Sequence, residues 1–298
     1  MKKLIILVLL LLTCQMFGRE EPMKRLELEQ ELTGIIKEGH GNYAVAFKDI
    51  QTGETILINE KERFHAASTM KTPVMIEVFY QAEQKKFALE DSIPIINQFS
   101  SLADGSPFSV DKSSDSEPSL YDRIGRKAAI QELVFHMITS SSNLATNLLI
   151  QLVSPVEVME QMKKLGANDI QVLRGVEDGK AYEAGMNNTT TAYDLMLLFD
   201  YLAGGKLISP KANQQMLDIL FKQNFNDMIP AQLPPEVKVA HKTGSISNVQ
   251  HDSGIVFLPD GRKYVLVILS NKLKSNADGI QTIAKLSHVI YRYMLSKE

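Results

Sequence analysis

Gly254-Ile255-Val256-Phe257-Leu258, Pro259-Asp260-Gly261-Arg262 and Lys263-Tyr264-Val265-Leu266-Val267-Ile268-Leu269-Ser270 follow one another near the end of the chain. Two apolar runs around a Pro-Asp-Gly turn read as a β-hairpin. Residues 237–243 read as a strand just before it. At the opposite end of the chain, residues 42–50 alternate like a strand, Gln51-Thr52-Gly53-Glu54 is a turn, and residues 55–59 return. The stretch between is helical in period. Ile130, Leu133, Val134, Met137 and Ile138 form one stripe, interrupted by Thr139-Ser140-Ser141-Ser142 and resumed by Leu144, Leu148, Leu149 and Leu152. Ser154-Pro155-Val156-Glu157 is a capping box with Pro at the first helical position, and Gly166 ends that helix. Thr191-Ala192-Tyr193-Asp194 opens another helix, which stops at Gly204-Gly205.

Further helices are expected over residues 23–37 (ended by Gly39), from Ser68 to about Gln84, from Ser209-Pro210 to about Gln223, and over residues 280–294. Strands at both ends with helices between predict an α+β fold: an antiparallel sheet flanked by helices, built from both chain ends, with an inserted all-helical domain. The expected boundaries are a leader at 1–18, a mixed domain at 19–86 and 208–298, and a helical domain at 87–207. Residues 102–120 and 175–190 carry turn formers without periodicity and read as long loops, which in compact domains are usually functional or mobile.

The 298 residues are 44% hydrophobic and 22% charged, ordinary globular composition with ample material for a core. Thirty-two basic against 35 acidic residues leave a formal charge of -3. No Lys/Arg block exists to hold a phosphate backbone, so nucleic acid is not an expected partner. One Cys excludes a disulfide framework. The six histidines show no H-x-H or H-E-x-x-H spacing, so no metal is expected. His251-Asp252 could serve a Ser-His-Asp triad, but no G-x-S-x-G elbow accompanies it. No phosphate-binding glycine motif is present, and no cofactor is expected.

Met1-Lys2-Lys3 followed by the apolar run 4–12 has the form of a secretory leader, too short for a span of ~20 residues. Cleavage after Gly18, a retained anchor and lipid attachment at Cys14 all remain open, with Thr13 a poor fit for the last. The protein is expected to be exported, to a periplasmic or extracellular location, and to act as a monomer.

Ser68-Thr69-Met70-Lys71 places a hydroxyl and an amine three residues apart on one helix face. Serine is a weak nucleophile until a base takes its proton, and a lysine of lowered pKa can do so. Ser109-Val110-Asp111-Lys112 has the same form but lies in a polar loop. What distinguishes Ser68 is its setting, a strand hairpin before it and Val74-Met75-Ile76 after it. Ser141-Ser142-Asn143 lies at the break between two helices, and His241-Lys242-Thr243-Gly244-Ser245 is expected to end a strand whose neighbour begins near Ser253.

S-x-x-K, S-x-N and K-T-G in this order resemble the motif set of the serine β-lactamase and penicillin-binding superfamily, and within it the class A members. The resemblance covers nearly everything after the leader. It implies that Ser68 is acylated by a β-lactam or acyl-D-Ala-D-Ala carbonyl, with Lys71 and Ser141 shuttling protons. It further implies that Asn143 binds the substrate amide, that Lys242 and Thr243 hold its carboxylate, and that the Ser68 and Ser245 N–H groups form the oxyanion hole.

The departures concern release of the acyl group. Position 142 is Ser where class A enzymes carry Asp, so one buried anchor is changed. Glu177 aligns with the class A deacylation carboxylate, but Ala181 stands where an Asn would follow. Glu183 is a weaker alternative, and Glu177 could equally be a loop carboxylate paired with Arg174 or Lys180. No carboxylate-binding Arg is evident after the K-T-G, where Ser253-Gly254 stands. The resemblance thus implies a β-lactam-opening hydrolase. The alternatives are a D,D-peptidase or penicillin-binding protein that deacylates slowly, and a lactam sensor.

Overall fold

The computed structural model describes residues 23–297. The expected leader and Cys14 lie outside the described residues. Five strands form one antiparallel sheet: β1 (Asn42–Asp49), β2 (Thr55–Ile58), β3 (Lys238–Ile246), β4 (Val249–Phe257) and β5 (Lys263–Asn271), in the order β2-β1-β5-β4-β3. The two chain ends meet at its centre, where β1 pairs with β5 from Asn42↔Asn271 to Asp49↔Tyr264. The fold is therefore α+β, as the hairpins at either end predict.

Side chains alternate across a strand, so each strand serves two cores. Val45, Phe47, Leu266 and Ile268 pack with Leu28 and Leu32 of α1 (Arg25–Glu38) and Ile283, Leu286 and Ile290 of α9 (Asn276–Ser296). Ala44, Ala46, Val265, Val267 and Leu269 face the other way. They join one continuous cluster with α2 (Lys71–Glu83), α3 (Ile130–Thr139), α4 (Asn143–Val153), α5 (Pro155–Lys164), α7 (Ala192–Ala203) and α8 (Pro210–Leu220). A strand covered on both faces needs no polar side, which explains the unbroken apolar run of β5. Each fully buried Leu, Ile or Phe contributes about 1.5–3 kcal/mol, so these clusters fix which faces meet.

Two expectations are corrected. Ser68 does not start an α-helix; Ala67–Met70 is a 3₁₀ turn that leads into α2. Nor does the K-T-G end its strand: β3 runs on to Ile246 because β4 begins at Val249, not near Ser253. Residues 250–253 hide the strand by being polar, yet each is buried. Gln250 donates to Ser245 Oγ at 2.7 Å, and Ser253 Oγ donates to the Lys242 carbonyl at 3.2 Å. A short helix, α6 (Gly179–Glu183), also interrupts the 175–190 loop, capped by Asp178 through the Ala181 N–H. Among the described residues, no helix is long and apolar enough to cross a membrane.

Candidate active site

The turn carrying Ser68 is held from several directions. Ala67 has φ +44°, a left-handed conformation that costs a non-glycine residue about 1–3 kcal/mol. Its neighbours oppose that cost. Ala67 N donates to His65 Nδ1 at 3.0 Å, Ala66 N to the Asn188 carbonyl at 2.9 Å, and Thr69 Oγ1 to the Ala66 carbonyl at 2.6 Å. Gly244 explains why β3 can lie against this turn: a Cβ there would stand 3.2 Å from Ser68 N and 3.1 Å from Thr69 Cγ2. The glycine of K-T-G keeps this close approach free of crowding.

Lys71 is completely buried at the start of α2. Its Nζ donates to the Ser141 carbonyl at 2.6 Å, to Ser141 Oγ at 3.1 Å and to Asn143 Oδ1 at 3.0 Å. Burial pushes this amine down to about 7, against the opposing charges of Asp115 and Glu177. Lys242, equally buried on β3, donates to the same Ser141 Oγ at 3.2 Å and to the Thr243 carbonyl at 2.8 Å. Burial, reinforced by the charge of Lys71, holds it well below the ordinary lysine range. Ser141 has φ +58° and turns the chain from α3 into α4, which aims its hydroxyl between the two amines. The three separated motifs thus converge on one oxygen.

Two cavities flank Ser68. One, of about 330 Å³, is lined by Ser68, Ser141, Asn143, Thr243 and Ser245. The other, of about 610 Å³, is lined by Ser68, Asn143, Arg174, Glu177, Tyr182 and Ser245. Neither Lys71 nor Lys242 is among the residues lining these two cavities; both bond the Ser141 hydroxyl, which lines the smaller one.

Glu177 reaches this site from the 175–190 loop. It has φ +64°, and Asn147 of α4 clamps the residue before it, accepting from Val176 N at 2.7 Å and donating to the Val176 carbonyl at 2.9 Å. A Cβ on Gly175 would meet Asn147 Oδ1 at 3.0 Å, so the clamp needs that glycine as well. Glu177 pairs with neither Arg174 nor Lys180. Its Oε2 accepts from Asp111 N at 2.8 Å, and its Oε1 from Ser114 Oγ at 2.8 Å and Asn143 Nδ2 at 3.3 Å. Lys180 binds Asp104, and Arg174 stacks over the Tyr182 ring at 5.3 Å. Glu183 is exposed on α6 and does not line the cavity, while Ala181 is buried.

His251 and Asp252 do not act together. They point to opposite faces of β4: His251 toward His65 and Ser270, Asp252 toward His241, whose Nδ1 lies 2.9 Å from Asp252 Oδ1. Asp115, Asn147 and Gln250 were not legible as site residues. Each acts on backbone or on a second side chain, and no short motif marks such partners.

Comparison with known proteins gives the family and the fold. A family model described as "Beta-lactamase enzyme family" matches residues 27–294. A β-lactamase of Bacteroides uniformis is 23% identical over 318 residues, spanning 99% of this chain and all of that one. The crystal structure of a β-lactamase from Sphaerobacter thermophilus superposes with a TM-score of 0.75 at 25% identity, covering 90% of this chain and 96% of the other. The structure of PBP-A superposes with a TM-score of 0.78 at 23% identity, covering 92% and 98%.

Proposed function

The chain belongs to the β-lactamase enzyme family, and from that premise we propose that it is an exported serine hydrolase that opens β-lactam rings through an acyl-enzyme on Ser68. One observation carries the reading: the Ser141 hydroxyl is shared by two buried lysines of lowered pKa and faces the cavity that Ser68 lines. Lys71, neutral in part near pH 7, takes the Ser68 proton as Ser68 Oγ bonds to the lactam carbonyl carbon. The Ser68 and Ser245 N–H groups receive the negative charge that develops on the carbonyl oxygen. The lactam C–N bond then breaks, and the proton passes through Ser141 to the departing nitrogen. Asn143 holds the substrate amide, and Thr243 with Lys242 holds its carboxylate. Glu177 accepts a proton from the water that releases the acyl group. Export rests on the charged start and apolar run at residues 1–18.

A second reading is favoured by one specific observation. Both Glu177 oxygens are already engaged, by Asp111 N, Ser114 Oγ and Asn143 Nδ2, and Ala181 offers no side-chain amide to hold a water. A penicillin-binding D,D-peptidase that acylates readily and deacylates slowly shares every other feature. Intact-protein mass spectrometry after mixing with benzylpenicillin, followed over time, separates the two. Transient acyl mass with product release supports the lactamase. Acyl mass persisting for hours supports the peptidase, and no acyl mass on Ser68 rejects both.

A further inference from the structure

We infer that Asp115 is a positioning residue of this site: from a distant loop it supplies the carboxylate that the Ser141-Ser142-Asn143 stretch lacks. The inference rests on the acyl-transfer function proposed above. The first backbone N–H groups of any α-helix have no partner within it. In α4 the first of these belongs to Asn143, which holds Lys71, and it follows closely on Ser141, which is strained into the left-handed region. The Ser142 hydroxyl caps only one of them, Ala145 N at 3.2 Å.

Asp115 lies 27 residues before Ser142 and is 7% exposed. Its Oδ2 accepts from Asn143 N at 2.9 Å, Leu144 N at 2.9 Å, Tyr121 Oη at 2.9 Å and Ser142 Oγ at 3.3 Å, while its Oδ1 accepts from Glu117 N at 3.0 Å. A carboxylate on helix N–H groups is favoured twice, by charge-assisted bonds and by the helix dipole. The work of a single acidic side chain at position 142 is thus divided. The serine hydroxyl caps the helix, and the remote aspartate supplies the charge. What this holds in place is the amine's whole environment, because every hydrogen bond of Lys71 Nζ named above ends on Ser141 or Asn143. The same loop reaches the other half of the machinery, since Asp111 N and Ser114 Oγ bind Glu177.

The charged groups acting on Lys71 are Asp115, Glu177 and Lys242. Removing the Asp115 charge removes one that favours the ammonium form. The experiment compares wild type, Asp115→Asn and Asp115→Asn/Ser142→Asp by the pH profile of kcat/KM on a chromogenic cephalosporin. In Asp115→Asn, kcat/KM is expected to fall tenfold or more and the acid limb to move to lower pH. Ser142→Asp, which places a carboxylate beside the same N–H groups, is expected to bring both back toward wild type. A kcat/KM within twofold of wild type in Asp115→Asn, or an acid limb that stays or rises, overturns the inference. Should that variant not fold, the double variant decides: kcat/KM within tenfold of wild type supports Asp115, and a greater loss overturns it. Should wild type form no acyl-enzyme, the functional reading falls separately. The Lys71 midpoint, followed by NMR of the labelled amine in the same proteins, then replaces the acid limb with the same two outcomes.

Discussion

His251 Nε2 donates to the carbonyl oxygen of His65 at 2.8 Å, joining residues 186 apart in the chain. His65 is the residue whose ring accepts from Ala67 N, so the bond secures the strained turn under Ser68. His251 is fully buried, its Nδ1 lying 3.0 Å from Ser270 N and 2.8 Å from the Gln250 carbonyl oxygen, and burial is what disfavours the charged ring.

A pH dependence of stability follows. Burial pushes His251 down to about 4 from 6.5. Between those values the unfolded chain binds the proton and the folded one does not, so stability is whole above pH 6.5 and drains away as pH falls toward 4. The loss attributable to this ring is on the order of 3 kcal/mol. Urea titrations at pH 7 and pH 5 should show a smaller difference for His251→Gln than for wild type. An equal difference would assign the acid sensitivity to other groups.

Ser68→Ala should fold normally and never acquire penicillin mass, whereas Ser109→Ala should label like wild type. The two serines share a motif form, but Ser109 sits exposed in a loop outside both cavities. Labelling of Ser68→Ala in the intact-mass assay would sink the nucleophile.

Lys71 and Lys242 should differ despite sharing Ser141. Lys71→Ala removes the proton acceptor and should slow acylation by ~10² or more. Lys242→Ala removes the amine that holds Ser141 Oγ and the Thr243 carbonyl, and should act mainly through weakened capture in kcat/KM. In wild type the acylation rate should rise with pH through about 7, where the Lys71 ammonium gives up its proton and gains a lone pair. Stopped-flow acylation that is flat from pH 6 to 8 would remove Lys71 from the role of base.

Glu177→Gln keeps size and loses basicity, so it should accumulate acyl-enzyme where wild type turns over. Turnover that survives this change would leave the hydrolytic base elsewhere.

The parts that were legible and those that were not differ in kind. That Lys71, Ser141 and Lys242 meet was legible from three motifs whose order resembles a known set. Gly244 was quoted as part of the K-T-G, but the tight fit of a Cβ beside Ser68 N is visible only in the structure. The sheet was legible from the apolar runs of β1 and β5. The first half of β4 was not, because buried polar residues satisfied across the sheet, such as His251 and Asp252, erase the apolar signal that marks a strand. Asp115 was illegible for a related reason. It lies in an aperiodic polar loop, and its partners are backbone N–H groups, which any sequence possesses. Its absence from position 142 could be read, but not its replacement.

The pairing of Asn42 with Asn271 has a consequence for how the molecule is made. A ribosome delivers β1, β2 and Ser68 early, but their central partner β5 arrives only after the whole helical insert and β3 and β4. Until then the first hairpin has one unsatisfied edge and no lid for its apolar face, which leaves the partly made chain exposed to aggregation. It also means that a prematurely terminated product carries Ser68 without Lys242 and without the strands that close the sheet beside it.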